Sequence, residues 1–264
     1  MTPDLVLVAV EAGVAHVRLN RPDKRNGLDL AMFRAIVAAG ERLALDRSVR
    51  AVVISGEGAA FCAGLDWGAF LAMGAEGARI LLEREADTTA NLAQRVAWVW
   101  RELPVPVIAA LHGPVFGGGF QIALAADLRI AAPDTQLSAM EVRYGLIPDM
   151  GLSQTLPRLV RADVAKELVF TGRLVGAEEA LTLGLVTKIA ADPVATARAL
   201  AREIASRSPD AVRAAKCLLD APGLDPAGSL ALETALQLGL MGRPNQLEAV
   251  ASTIQKRAGV FQDP

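Results

Sequence analysis

Cysteine is nearly missing from this 264-residue chain, which has only Cys62 and Cys217. Two thiols cannot make a disulfide framework, so the fold must stand on its own core, and a reduced, cytoplasmic setting is expected. Histidine is as scarce, with His16 and His112 alone, which leaves no histidine cluster for a metal. Positive charge is not in excess: 27 Lys plus Arg meet 29 Asp plus Glu, a formal net charge of −2. Nucleic-acid binding through a general basic surface has no support in that balance. No apolar run reaches the roughly 18 residues of a spanning helix, so no membrane partner is expected. The opening MTPDLVLVAVEAG carries Asp4 and Glu11 without a basic n-region, and does not read as a signal peptide.

What the chain has is aliphatic bulk. Hydrophobic residues make up 52% and aromatic ones only 4%, and a chain of this length suits roughly one to two domains around one large core. Alternating apolar positions in Leu5 to Val10 and Val14 to Leu19 predict a β-hairpin. Asp29 stands where an N-cap should before a helical stripe of Leu30, Phe33, Ile36, Val37 and Leu43 ending near Asp46. Arg50 to Ser55 and Val105 to Leu111 read as strands buried on both faces, within an α/β alternation from 50 to about 131. From Ala162 onward the chain is expected to be mostly helical, in segments 162–170, 177–183, 193–207, 209–220, 226–241 and 244–257. Pro193, Pro209, Pro222, Pro226 and Pro244 stand at first turns or in linkers. The expected organisation is an α/β core over 1–195 followed by a helical region over 196–264.

Two glycine-bearing turns each follow an expected strand, SGEGAAFCAGLDWG at 55–68 and HGPVFGGGFQIALAAD at 112–127. The second runs into an apolar helix. Glycines at a helix start leave backbone N–H groups bare at the positive end of the dipole, which suits an oxyanion or phosphate. Gly117 to Gly119 equally suit close packing of helix on strand, and the turn alone does not separate the two readings. It is neither a dinucleotide fingerprint nor a Walker A sequence, since no GK[ST] follows.

The two turns and their surroundings resemble the crotonase (enoyl-CoA hydratase/isomerase) superfamily. The resemblance runs through NRPDKRNGLD at 20–29, AFCAGLDW at 60–67, PVIAALHGPVFGGGFQIALAADLRIA at 106–131, LSAMEVRYGLIPDMG at 137–151 and VAKELVFTGRLVGAEEALTLGLV at 164–186. It implies a crotonase-like α/β spiral of ββα units with a helical C-terminal trimerisation region, assembled as a homotrimer or a dimer of trimers. It also implies an acyl-CoA thioester substrate and no metal or redox cofactor, CoA arriving with the substrate. The thioester oxygen would be held by the N–H groups of Leu65 and Gly118. Each such donor is typically worth about 3 to 4 kcal/mol to an enolate-like transition state. Cys62, Ala63, Gly64, Asp66, Gly117 and Met140 would border the substrate. Lys24 and Arg25, or Lys256 and Arg257, would meet the CoA phosphates or remain solvated pairs.

The acid/base positions discriminate within the family. Hydratases use two glutamates, matched here by Gln121 and Glu141. An amide holds a water but neither takes nor gives a proton near neutral pH. Dienoyl-CoA isomerases add an aspartate eight residues after the second glutamate, and Asp149 stands there. The resemblance therefore favours double-bond isomerisation, with Glu141 as base, Gln121 as a polar neighbour and Asp149 as a second acid/base group or a turn residue before a helix at 151–160. The rivals are hydration by Glu141 with a Gln121-held water, a non-catalytic acyl-CoA binder, and acyl-CoA hydrolysis or carbon–carbon cleavage. Cys62 reads as a buried thiol rather than a nucleophile, His112 as a hydrogen-bonded core residue, and no GxSxG elbow appears. Trp98 and Trp100, in the stretch 75–103, are candidates for the acyl tunnel or the core.

Overall fold

The computed structural model describes residues 4–264 apart from Glu85, Asp87, Pro222 and Leu224; Pro222 and the opening Met1 to Pro3 thus lie outside the described residues. The hairpin forms as β1 (Val6–Glu11) and β2 (Val14–Leu19), turned at Ala12 and Gly13. α1 (Leu30–Leu45) starts where expected, the Asp29 carboxylate accepting from Met32 N at 2.8 Å. There follow β3 (Ala51–Gly56), α2 (Trp67–Leu82), α3 (Leu92–Glu102), β4 (Val107–Leu111), β5 (Pro114–Phe116) and α4 (Gly118–Ala125). Next come β6 (Leu128–Ala131), β7 (Gln136–Ser138), a 3-10 turn Met140–Tyr144, α5 (Leu152–Thr155), α6 (Ala162–Thr171), β8 (Val175–Gly176), α7 (Ala177–Leu183) and β9 (Lys188–Ile189). α8 (Pro193–Ala205), α9 (Pro209–Asp220), α10 (Pro226–Leu240) and α11 (Pro244–Ile254) complete the chain, each with proline in its first turn.

The main sheet runs β1-β2-β3-β4-β6-β9, parallel except for the opening hairpin, and a smaller sheet runs β5-β7-β8. The period of two decides its packing. Val52 and Ile54 of β3 join the core under α1 and α3, while Ala51 and Val53 face the opposite cluster with Ala197, Ala201 and Ala205. Those three alanines recur every four residues, so they form one stripe of α8. α8 therefore belongs with the sheet by packing and runs across the 195/196 boundary expected from the sequence.

α2 is interrupted at Gly74, with φ 58° and ψ −151°, and α3 starts afresh after Asn91, whose side chain and Gln94 form a capping box. One expectation changes here. The helix expected at 151–160 is a short α5 that passes into a 3-10 turn at Leu156–Arg158. Pro157 lacks the N–H that would continue the α-helical pattern. Among the described residues no helix is long and apolar enough to cross a membrane.

Candidate active site

The site is assembled where three loops meet, and Asn26 ties two of them. Fully buried, it donates through Nδ2 to the carbonyls of Glu57, Ala60 and Phe61 at 3.0, 2.8 and 3.1 Å, and its Oδ1 accepts from Arg21 N at 2.8 Å. Asn26 has φ 55°, a conformation asparagine tolerates better than most residues. The sequence reading assigned it nothing, although NG after a basic pair was a turn signal.

The loop then pairs with the first glycine turn. Leu28 N donates to Gly64 O at 2.8 Å, and Asp66 N donates to Leu28 O at 2.9 Å. This parallel bridge spends the groups on either side of Leu65 and turns the Leu65 N–H away from Leu28. Gly64 has φ +88°, and a Cβ there would lie 2.7 Å from Phe116 O and 3.6 Å from Gly118 N. The two glycine turns are thus in backbone contact. At Gly119 a Cβ would lie 2.3 Å from Cys62 O, so the third glycine exists for close packing. Gly117 N donates to Ser138 O at 2.9 Å. Gly118 N begins α4, and no hydrogen bond among the described residues uses it or Leu65 N. The close-packing reading of the GGG turn thus holds at Gly119.

The two turns line a cavity of about 490 Å³ through Ala63, Gly64, Leu65, Gly117 and Gly118. Gln121, Met140, Glu141 and Asp149 line it as well. Gln121 Nε2 donates to Glu141 Oε1 at 2.7 Å, and Gln121 Oε1 accepts from Met150 N at 2.8 Å. Glu141 Oε2 is buried without a hydrogen-bond partner among the described residues. Burial raises the Glu141 carboxyl above its ordinary range, opposed by hydrogen bonds from its own backbone and Gln121 and reinforced by the nearby Asp149 charge. Burial likewise raises Asp149. Both shifts run in the direction a base working near neutral pH requires. Asp149 does not cap α5, whose N-cap is Gly151.

Several expected contacts fall elsewhere. Asp66 does not reach the cavity wall; its carboxylate caps α2 through Ala69 N and pairs with Arg21 at 2.8 Å. Cys62 is also off the wall, its thiol donating to Asn26 O at 3.1 Å and pushed up to about 12 by burial, which makes it inert at neutral pH. Lys24 is exposed in the turn before Asn26, outside the cavity, and Arg257 is engaged by Glu248 at 2.5 Å. Trp100 is fully buried in the core, and Trp98 packs beside Gly151. The aromatic residues of the wall are Phe33, Trp67, Phe70 and Tyr144. Trp67 and Tyr144 stack with centroids 4.4 Å apart at 36°. Trp67 stood in the quoted AFCAGLDW, and Tyr144, the single tyrosine of the chain, three residues after Glu141; their meeting had no signal in the sequence.

Fold and cavity together define a class: an α/β scaffold that brings two glycine turns and two half-buried carboxyls to one largely apolar pocket. The model of the enoyl-CoA hydratase/isomerase family matches residues 9–243, and the chain belongs to that family. It is 33% identical to the human mitochondrial Delta(3,5)-Delta(2,4)-dienoyl-CoA isomerase, over 96% of this chain and 80% of that protein. It is 34% identical to the human mitochondrial enoyl-CoA hydratase domain-containing protein 2, over 97% and 87% respectively. The crystal structure of an enoyl-CoA hydratase from Bacillus anthracis superposes with a TM-score of 0.91 at 30% identity, covering 98% of this chain and all of that one. The fold is therefore the crotonase-like α/β spiral that the motifs implied.

Proposed function

We propose that the protein is a double-bond isomerase acting on an enoyl- or dienoyl-CoA thioester. The observation that carries this reading is the pairing at the cavity wall: Glu141 and Asp149 present carboxyls, while the first hydratase position holds Gln121. In the proposed reaction the thioester oxygen sits on the Leu65 and Gly118 N–H groups. Glu141 removes a proton from carbon 2, the charge spreads onto that oxygen, and the proton returns at the far end of the conjugated system. Asp149 delivers it where a dienoyl chain carries that end away from Glu141. Similarity to a dienoyl-CoA isomerase over nearly the whole chain supports the same choice. The CoA-bearing substrate needs no resident metal or redox group for this step.

Hydration through Glu141 and a water held by Gln121 is the second reading, supported by the structural likeness to an enoyl-CoA hydratase. Gln121 spends one lone pair on Met150 N–H and one hydrogen on Glu141, which leaves its second lone pair and second hydrogen for such a water. Assays with crotonyl-CoA, a 3-enoyl-CoA and a 3,5-dienoyl-CoA separate the two. Isomerisation is expected from the native chain, with a loss of at least about a hundredfold in Glu141→Gln. Fast hydration without isomerisation would sink the proposal, and tight acyl-CoA binding without turnover of any substrate would indicate a binder. We also propose a homotrimer or a dimer of trimers.

A further inference from the structure

Gln121 is 1% exposed, and the hydrogen-bond network assigns its orientation. A backbone N–H can only donate, so the atom 2.8 Å from Met150 N is the amide oxygen. The amide nitrogen then faces Glu141 Oε1 at 2.7 Å, where a carboxylate oxygen is the fitting acceptor. The two bonds reach separate segments. One holds the 3-10 turn Met140–Tyr144 that carries Glu141, and the other holds the peptide joining Asp149 to Met150. The side chain itself stands on α4, whose first residue is Gly118.

We propose that Gln121 is a positioning residue that spaces the two carboxyl-bearing segments against helix α4 and fixes the Glu141 carboxyl by Oε1. This rests on the isomerase reading. Oε2 makes no hydrogen bond among the described residues and is buried, so the bond from Gln121 to Oε1 is the one that another side chain gives this carboxyl. A glutamate at 121 would still accept from Met150 N–H. It would, however, set a carboxylate against a carboxylate 2.7 Å away, and the pair would repel or share one proton. The amide keeps the acceptor on one side and supplies a donor on the other. The charged group acting on Glu141 from another segment is Asp149; α4 contributes no titratable side chain, and the turn carrying Glu141 adds Arg143 and Tyr144.

The test compares the full chain with Gln121→Met and Gln121→Glu on 3-enoyl- and 3,5-dienoyl-CoA, from about pH 5 to about pH 9. Gln121→Met removes both bonds at similar volume. It is expected to lower kcat about a hundredfold while KM changes by less than about threefold. Gln121→Glu keeps the bond from Met150 and so tests the idea even if the methionine variant fails to fold. It is expected to move the acid limb of kcat/KM upward by about one unit or more. An unchanged kcat in a folded Gln121→Met, or an unmoved acid limb in Gln121→Glu, overturns the proposal. If the native chain isomerises neither substrate, the isomerase reading fails on its own. The clamp is then read without turnover, by carbon-13 titration of the Glu141 carboxyl assigned through Glu141→Gln. An upward displacement in Gln121→Glu supports the clamp, and no displacement overturns it.

Discussion

At the scale of single residues, burial separates groups that look alike in the sequence. Cys62 stands beside the oxyanion turn, yet its desolvated thiol stays protonated, whereas burial of Glu141 and Asp149 raises them toward useful basicity. His16 shows the same physics on a cation. Its ring shares a hydrogen bond with Ser55 Oγ at 2.9 Å. Burial, with Arg198 and Arg18 adding repulsion and Glu57 opposing them, lowers it from 6.5 to about 4. An unfolded chain protonates His16 near its ordinary value, whereas the folded chain resists until about 4. Its contribution to stability is therefore complete above 6.5 and is lost as pH falls from there toward 4. Urea midpoints measured on both sides of that interval should fall less on acidification in His16→Gln than in the native chain. An equal fall would show that His16 does not contribute.

At the scale of elements, the site depends on loops touching through backbone. One of the tightest approaches is Gly119 against Cys62 O, where α4 meets the first glycine turn. Gly119→Ala is expected to destabilise the protein by about 1–3 kcal/mol through overpacking and to lower kcat/KM, because it separates Gly118 N from Leu65 N. Gly176, whose missing Cβ would meet nothing within 4 Å, is the control, and its alanine variant should change stability by less than about 0.5 kcal/mol. Thermal unfolding and steady-state assays of the two variants check this. Equal behaviour would mean that the close contact relaxes without consequence. The Trp67–Tyr144 stack joins the first glycine turn to the 3-10 turn instead, since Trp67 opens α2 just after Leu65 and Tyr144 ends the turn that carries Glu141.

At the scale of the molecule, the apolar excess divides between a closed core and an open surface. Strands β3 and β4 are buried nearly throughout and α8 buries its alanine stripe, but α10 buries no residue, and Leu219, Leu238 and Ile254 of α9, α10 and α11 are 82%, 70% and 76% exposed. Exposed large apolar side chains in such number are what a self-association interface covers. The proposed homotrimer or dimer of trimers should appear in sedimentation velocity at micromolar concentration. Substitution of Leu238 by Glu should shift the distribution toward smaller species. A monomer across a wide concentration range would remove the proposal.

By itself the sequence determined whatever depends on local pattern. The Asp29 cap, the alternating strand positions and the prolines that open the C-terminal helices were legible because each is set by neighbours a few residues away. The family motifs likewise located both glycine turns. Tertiary structure alone decided what depends on approach between distant segments. It buried Trp100 and placed Trp67 and Tyr144 on the cavity wall, engaged Asp66 with Arg21, and made Asn26 the tie between loops. It also turned Gln121 from a missing acid into a strut between two carboxyl-bearing segments. The reason is directional: a hydrogen bond or a ring contact exists only at close range and correct angle, and spacing along the chain carries neither.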